Sequence, residues 1–290
     1  MSRLLSVCIL CSAVAFAGEA TLFPDASLES VVRAHLLEKR NGKDPLTIDD
    51  VKNLSGITSR GNPIKNLSGL DKCTALAELS ITGAELSALG PLHGLTNISS
   101  LTLTNDRIKD ISPLSGMTQL QYLDINDNQV ADLMPLAGLK SLNTLSLSNN
   151  RVTDLSPLKD ATRLWSLYLD GNQIADLRPV SGLKGLSSLD LSRNRIKDLS
   201  PLAGITSLRF LSLEGNPVRD LAPLVNMAKK DAEGEKQFAP YLTVYLSPGQ
   251  GSAEQVAELK KYVHDIHIVE TNAENKITAS GSHSGRHSKL

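Results

Sequence analysis

Aromatic side chains are scarce in this sequence, with four Phe, five Tyr and one Trp among 290 residues. A core of that size ordinarily leans on aromatics, so this one has to be built from Leu, Ile and Val. Internal disulfides are excluded as well. Of the three cysteines, Cys8 and Cys11 lie in the N-terminal leader, which leaves Cys73 alone in the mature chain. Neither charge sign is in excess: the net charge is −1, and no basic field recruits nucleic acid or anionic lipid. A long apolar run is also missing. The longest, Leu4 to Val14, is too short to anchor a chain across a bilayer.

That short run reads instead as the heart of a secretory signal over residues 1–17. Arg3 supplies the charged start, and Ala15-Phe16-Ala17 is an A-x-A cleavage site, with cleavage after Ala17. Val7 and Leu10, which precede the leader cysteines, are not the small residues that a lipidation signal needs. The expected locations are therefore secreted, periplasmic or cell-surface.

What the chain has in abundance is repetition. The segment 142–163, LNTLSLSNNRVTDLSPLKDATR, is one copy of a 22-residue pattern. The pattern starts again at Leu54, Leu76, Ile98, Leu120, Leu164, Leu186 and Leu208 without insertion. Around the second and third leucines, such as Leu145 and Leu147, apolar and polar residues alternate as in a half-buried strand. Stacked copies place these strands in one parallel sheet, and each repeat packs only on its neighbours. The return half carries proline in seven of eight copies, from Pro91 to Pro223. Proline and the short period disfavour an α-helix there and favour a 3-10 or extended segment.

Two polar files run through the repeats. Asn62, Asn128, Asn150, Asn172, Asn194 and Asn216, interrupted by Ala84 and Asp106, stand where the chain turns inward and can satisfy buried backbone groups. Asp110, Asp132, Asp154, Asp176, Asp198 and Asp220 open the return half, where short carboxylates accept turn N–H groups. One carboxylate per coil is a turn cap rather than a calcium site. Cys73 sits where other copies carry Leu95, Met117, Leu139 or Ile205, the place of a small buried hydrophobe.

The ends differ from the body. Residues 18–53 read as a helical cap: Phe23-Pro24-Asp25 opens a helix with Leu28, Val31, Val32, His35 and Leu36 on one face, and Thr47 with Asp50 opens a second. The repeats occupy 54–229. Residues 230–269 form a C-terminal cap. There the mostly polar segment 230–240 precedes a degenerate ninth repeat, with Val244, Leu246 and Gly249 in the second-leucine, third-leucine and asparagine places. A helix at Ser252 to Val263 and a last strand at Ile266 and Ile268 follow. The tail 270–290 has no periodicity and reads as disordered. The pattern predicts nine stacked strands about 4.8 Å apart.

The spacing L-x-x-L-x-L-x-x-N resembles the leucine-rich repeat. Together with the leader, the Phe23-Pro24-Asp25 cap and the N-x-I-x-D-L-x-P-L phrase, it resembles the internalin class of bacterial leucine-rich-repeat proteins. The resemblance implies an α/β right-handed solenoid with a parallel sheet on its concave face, a 3-10 or extended convex side and a helical N-cap. It also implies an exported module that binds a protein on that face. The sequence carries no sortase-type LPxTG ending and little room for an immunoglobulin-like domain after the repeats. A surface adhesin is therefore the alternative, and a phosphatase-regulator-like scaffold is a further one that the leader argues against.

No cofactor, metal site or catalytic constellation is expected. His264 and His267 form H-x-x-H without the partners a zinc site needs, and His267 is expected to face solvent. The expectation is a non-enzyme and a monomer. Strand alternation instead directs attention to the concave face. Its early residues are small (Ser80, Ser100, Thr102, Thr104). Later come Tyr122, Asp124, Tyr168, Asp170, Asp190, Phe210 and Glu214, with Trp165 and Arg193 beside them. Aromatics among charges are what a partner-binding surface uses, and these nine are the candidate site, an acidic rim around apolar anchors.

Overall fold

The computed structural model describes residues 21–234, 236 and 238–270. The expected leader at 1–17 and almost all of the 270–290 tail lie outside them. Ten parallel strands form one sheet in sequence order. They are β1 (Gly56–Arg60), β2 (Glu78–Thr82), β3 (Ser100–Thr104), β4 (Tyr122–Asp124), β5 (Thr144–Ser146), β6 (Ser166–Tyr168), β7 (Ser188–Asp190), β8 (Phe210–Ser212), β9 (Thr243–Leu246) and β10 (Asp265–Ile268). Through the repeats each pairing joins residues one period apart, for example Leu123 with Leu145 and Leu145 with Leu167. The expected count of nine strands was one short. The strand of the C-terminal cap also joins the sheet, pairing Ile266 with Val244.

The core is a stack of aliphatic files. Leu79, Leu101, Leu123, Leu145, Leu167, Leu189 and Leu211 are fully buried, and the next file runs from Ile81 to Leu213 in the same way. Cys73 belongs to this core and is free. Burial, with Asp71 nearby, pushes its thiol up to about 12, so it is not a thiolate at neutral pH. Across the convex side, short 3-10 turns such as Ser112–Leu114, Ser156–Leu158 and Ser200–Gly204 carry proline in their first positions. Each is opened by its aspartate. The Asp110, Asp132, Asp154, Asp176, Asp198 and Asp220 carboxylates accept the N–H two residues on at 2.8–2.9 Å.

Helices close both ends. At the N-terminus, α1 (Ala26–Ala34) is capped by Asp25, and α2 (Ile48–Val51) starts with the Thr47–Asp50 capping box. Asp25 also reaches the first repeat, its second oxygen accepting from Lys65 N at 2.8 Å and Asn66 N at 3.1 Å. Desolvation pushes its carboxyl up, but four backbone donors outweigh that and hold it below the usual value. His35 bonds Val31 O through Nδ1 and accepts from Thr58 N through Nε2, covering part of the otherwise open edge of β1. Phe23 packs over Gly69, where φ is +98° and a Cβ would come within 2.7 Å of the Phe23 ring. Only glycine fits there.

The segment beyond 229 is more ordered than its polar composition predicts. The convex turn of the eighth coil continues as a true helix, α3 (Ala222–Glu233), because no glycine interrupts Leu224 to Glu233 where earlier coils have Gly138, Gly182 or Gly204. Phe238 is then fully buried, and Asp231 Oδ2 accepts from Phe238 N and Ala239 N. After β9, α4 (Ala253–Leu259) carries its own capping box from Ser252. Ile268, in the outermost strand of the sheet, is half exposed, with no further described strand beside it.

The asparagine file binds the coils together. Asn150 Nδ2 donates to Leu147 O in its own coil and to Ile125 O in the one before, while Asn150 Oδ1 accepts from Val130 N. Asn128, Asn172, Asn194 and Asn216 repeat the pattern. Two members depart from expectation. Asn62 is exposed and bonds only Ser59 Oγ, since no repeat precedes it. In the ninth repeat Gly249 was expected in the asparagine place, but the turn is one residue longer. Gly249 takes the left-handed conformation and Gln250 does the bonding, donating to Leu213 O and Asn216 O. Its extra methylene spans the added length.

Asp106 is the imperfect rung. One oxygen accepts from Leu86 N at 2.9 Å as an amide oxygen would, but Oδ2 is buried without a hydrogen-bond partner among the described residues. Burial pushes this carboxyl up to about 6. A raised acid contributes stability below its ordinary value near 3.8, and that contribution is lost as pH rises through about 6. Asp106→Asn should therefore stabilise the chain at neutral pH by about 1–2 kcal/mol, the worth of a satisfied buried polar group. The gain should shrink toward pH 4, as followed by thermal melts across pH; a variant no more stable at neutral pH would refute the ladder role. Leu147→Ala, in the middle of the aliphatic stack, should cost about 2–5 kcal/mol in denaturant titration.

Candidate functional site

The sheet register sorts the concave side chains into three rows. The first holds Glu78, Ser100, Tyr122, Thr144, Ser166, Ser188, Phe210 and Thr243. The second holds Ser80, Thr102, Asp124, Ser146, Tyr168, Asp190, Ser212, Tyr245 and His267. Two residues further along each strand lies a third row with Asp170 and Glu214. Tyr122 and Phe210 thus share a row, and Tyr168 stands in the next one. The half over β1–β3 is mostly short side chains, with Glu78 and Arg60 the exceptions, and the aromatic rings begin at β4.

Tyr122 is exposed, and its phenol stands near the Asp124 carboxylate two residues on. Desolvation, then the nearby Asp124 charge, raises the phenol to about 12; desolvation likewise raises Asp124 to about 6. Asp170 and Asp190 are more enclosed than a rim would be, at 4% and 3% exposed. Asp190 accepts from Ser192 N and Ser192 Oγ; burial, then the Asp170 charge, raises it to about 6. Glu214 accepts from the Ser212 hydroxyl. These carboxylates therefore set the local field more than they offer direct contacts.

Arg193 is the cation among them. It is in the left-handed region, φ +55°, at a coil position otherwise filled by Gly61, Gly83, Asn105, Asp127, Asn149, Gly171 and Gly215. Arginine pays roughly 1 kcal/mol there. Its guanidinium lies across Gly171, pairing with Asp170 and bonding Asn149 Oδ1 at 2.9 Å two coils back. A Cβ on Gly171 would run into both Asn149 and the guanidinium. The bare glycine is what lets the arginine lie flat.

Two residues missed from the sequence complete the face. The Tyr245 ring packs against Phe210 with centroids 5.2 Å apart, and His267 stacks on Tyr245 at 4.6 Å. His267 does face solvent, beside Asp265 at 3.4 Å. The signal for Tyr245 was present, since it stands between Val244 and Leu246 and alternation puts it on the concave face. Trp165 departs from the group in the other direction. It precedes β6, off the three rows, at the edge where the strands begin. Among the described residues no cluster of His, Cys, Asp and Glu is placed to hold a metal ion, and no helix is long and apolar enough to cross a membrane.

Residues 118–160, 162–204 and 185–226 match the family model described as Leucine Rich repeats (2 copies). Among solved structures, an internalin from Listeria monocytogenes superposes with a TM-score of 0.74 at 27% identity, over 86% of this chain and 76% of its own. The chain is similar to the internalins in fold and carries leucine-rich repeats. Internalin C2 of the same organism matches this internalin-like chain at 0.61 and 25% identity, over 86% of this chain and 95% of its own. A leucine-rich-repeat protein of Leptospira interrogans shares the fold, with a TM-score of 0.60 at 21% identity, over 77% of this chain and 62% of its own. No curated protein matches the chain. The internalin-like fold is in general a protein-interaction scaffold without enzymatic chemistry.

Proposed function

We propose that the chain is an exported, monomeric, non-catalytic module that grips a protein partner with the C-terminal half of its concave sheet. One observation carries this reading: in a chain with few aromatics, Tyr122, Tyr168, Phe210 and Tyr245 all stand on the concave face from β4 onward. Tyrosine-rich surfaces flanked by charge are the chemistry of binding hot spots. In this reading Tyr122, Tyr168 and Phe210 are the anchors. Asp124, Asp170, Asp190 and Glu214 supply a negative field, and Arg193 orders the third row by clamping Asp170 to Asn149. Trp165 contacts the partner from outside the rows.

Export rests on the leader, whose charged start, short apolar run and A-x-A site are all in the sequence. Likeness to two Listeria internalins favours a second reading, an adhesin held at the cell surface. Cell fractionation separates the two, because an adhesin stays with the envelope and a released module appears in the medium or periplasm.

The partner should present basic and apolar groups. After its capture by pull-down, Tyr168→Ala should weaken binding by about 1–3 kcal/mol with the melting temperature unchanged, while Ser100→Ala on the small-residue half should do nothing. The on-rate should fall with added salt. Binding should also weaken as pH drops through about 6, where Asp124 loses its charge. If affinity survives Tyr168→Ala and ignores salt, the concave reading fails.

A further inference from the structure

The edge where the strands begin carries a second surface, unlike the concave face in both charge and shape. Residues before the strands follow one another there by backbone hydrogen bonds, Ser187 N to Trp165 O and Arg209 N to Ser187 O. Trp165 and Arg209 are thus two strand spacings apart, about 10 Å. Ser187 between them is small and buried, which leaves a gap. Tyr241 closes its far side, its ring 4.3 Å from Arg209 Cζ. The result is an open groove of about 540 Å³ lined, among the described residues, by Trp165, Thr206, Ser207, Arg209, Lys236 and Tyr241.

Three properties of this groove point to a ligand. Trp165 and Tyr241 are 61% and 57% exposed. Arg209 and Lys236 have no ion-pair partner among the described residues, and the described lining carries these two cations and no carboxylate. Stacking on Tyr241 holds the Arg209 plane in place, which pre-organises its fork of N–H donors for a carboxylate.

We propose that this groove is a docking point for an acidic segment of a protein partner, with an apolar side chain against Trp165 and a carboxylate on Arg209. The inference rests on the reading of the chain as a protein-binding module and adds a second point of contact. A sugar fits less well, because a pyranose stacks on an open ring face and Arg209 already covers the face of Tyr241. Trp, Tyr and Arg together are instead the composition of protein hot spots. The concave face is negative and the groove positive, so a partner carrying both signs is held in one orientation.

Trp165 is the only tryptophan of the chain, and its fluorescence reports the groove directly. A short peptide of alternating glutamate and leucine should shift Trp165 emission to the blue in a saturable, salt-sensitive way. The lysine–leucine counterpart should not. Arg209→Gln should weaken the glutamate–leucine peptide about tenfold, and Arg209→Lys, which keeps the charge but not the fork, should fall between. Tyr168→Ala should leave it unchanged, so the groove and the concave reading can fail separately. No emission change at millimolar peptide overturns the proposal, as does equal response to the lysine–leucine peptide. A response to an oligogalacturonate but not to the peptide reassigns the groove to acidic glycans and overturns it too. Loss of peptide binding in Tyr168→Ala places the peptide on the concave face and has the same consequence.

Discussion

Everything in this molecule depends on satisfying the backbone where each coil leaves the sheet and turns inward. At that point carbonyls such as Leu147 O and Leu169 O face the core, where an unmet hydrogen bond is costly. Each is met twice, by the asparagine of its own coil and by that of the next. Because each rung from Asn128 to Asn216 spans two coils, the ladder fixes their spacing and keeps the sheet parallel and in register. The aliphatic files supply most of the burial, but a Leu file alone would tolerate slippage. The amide ladder does not.

That constraint divides the residues of each repeat into two sets. Leucines, asparagine, aspartate and proline are committed to the coil, while the concave positions are left to vary. From β4 onward those positions include rings and buried carboxylates; before it they are mostly Ser and Thr, with no ring. Arg193 marks where the two sets meet. It stands at a position the coil reserves for Gly, Asn or Asp, at a cost in backbone strain. Its reach across Gly171 to Asp170 and Asn149 is the evident return.

The two ends show how a solenoid stops. At the start, Asp25, Phe23 and His35 each bond or pack onto the first repeat, so the cap is part of the stack. At the finish, α3 replaces a 3-10 turn, Gln250 replaces an asparagine and β10 extends the sheet beyond the repeats. The same C-terminal region supplies Tyr241 to the edge groove and Tyr245 with His267 to the concave face. Its departures from the repeat therefore build surface as well as closure.

The sequence by itself determined the coil: the period, the solenoid with its parallel sheet, the capping aspartates, the asparagine file and the helical start. These follow from residue type at fixed spacing, and local physics decides them one repeat at a time. It also pointed to the concave aromatics, since alternation along a strand is local too. Only the tertiary structure decided what depends on neighbours across coils. Asp170 and Asp190 are enclosed because flanking strands cover them, Trp165 leaves the concave rows because it precedes its strand, and Gln250 rather than Gly249 completes the ladder because the last turn is one residue longer. The pairing of Arg209 with Tyr241 joins residues more than one period apart, across the break in the repeat. No repeat pattern places them, because the separation that brings them together is set by the fold and not by the spacing.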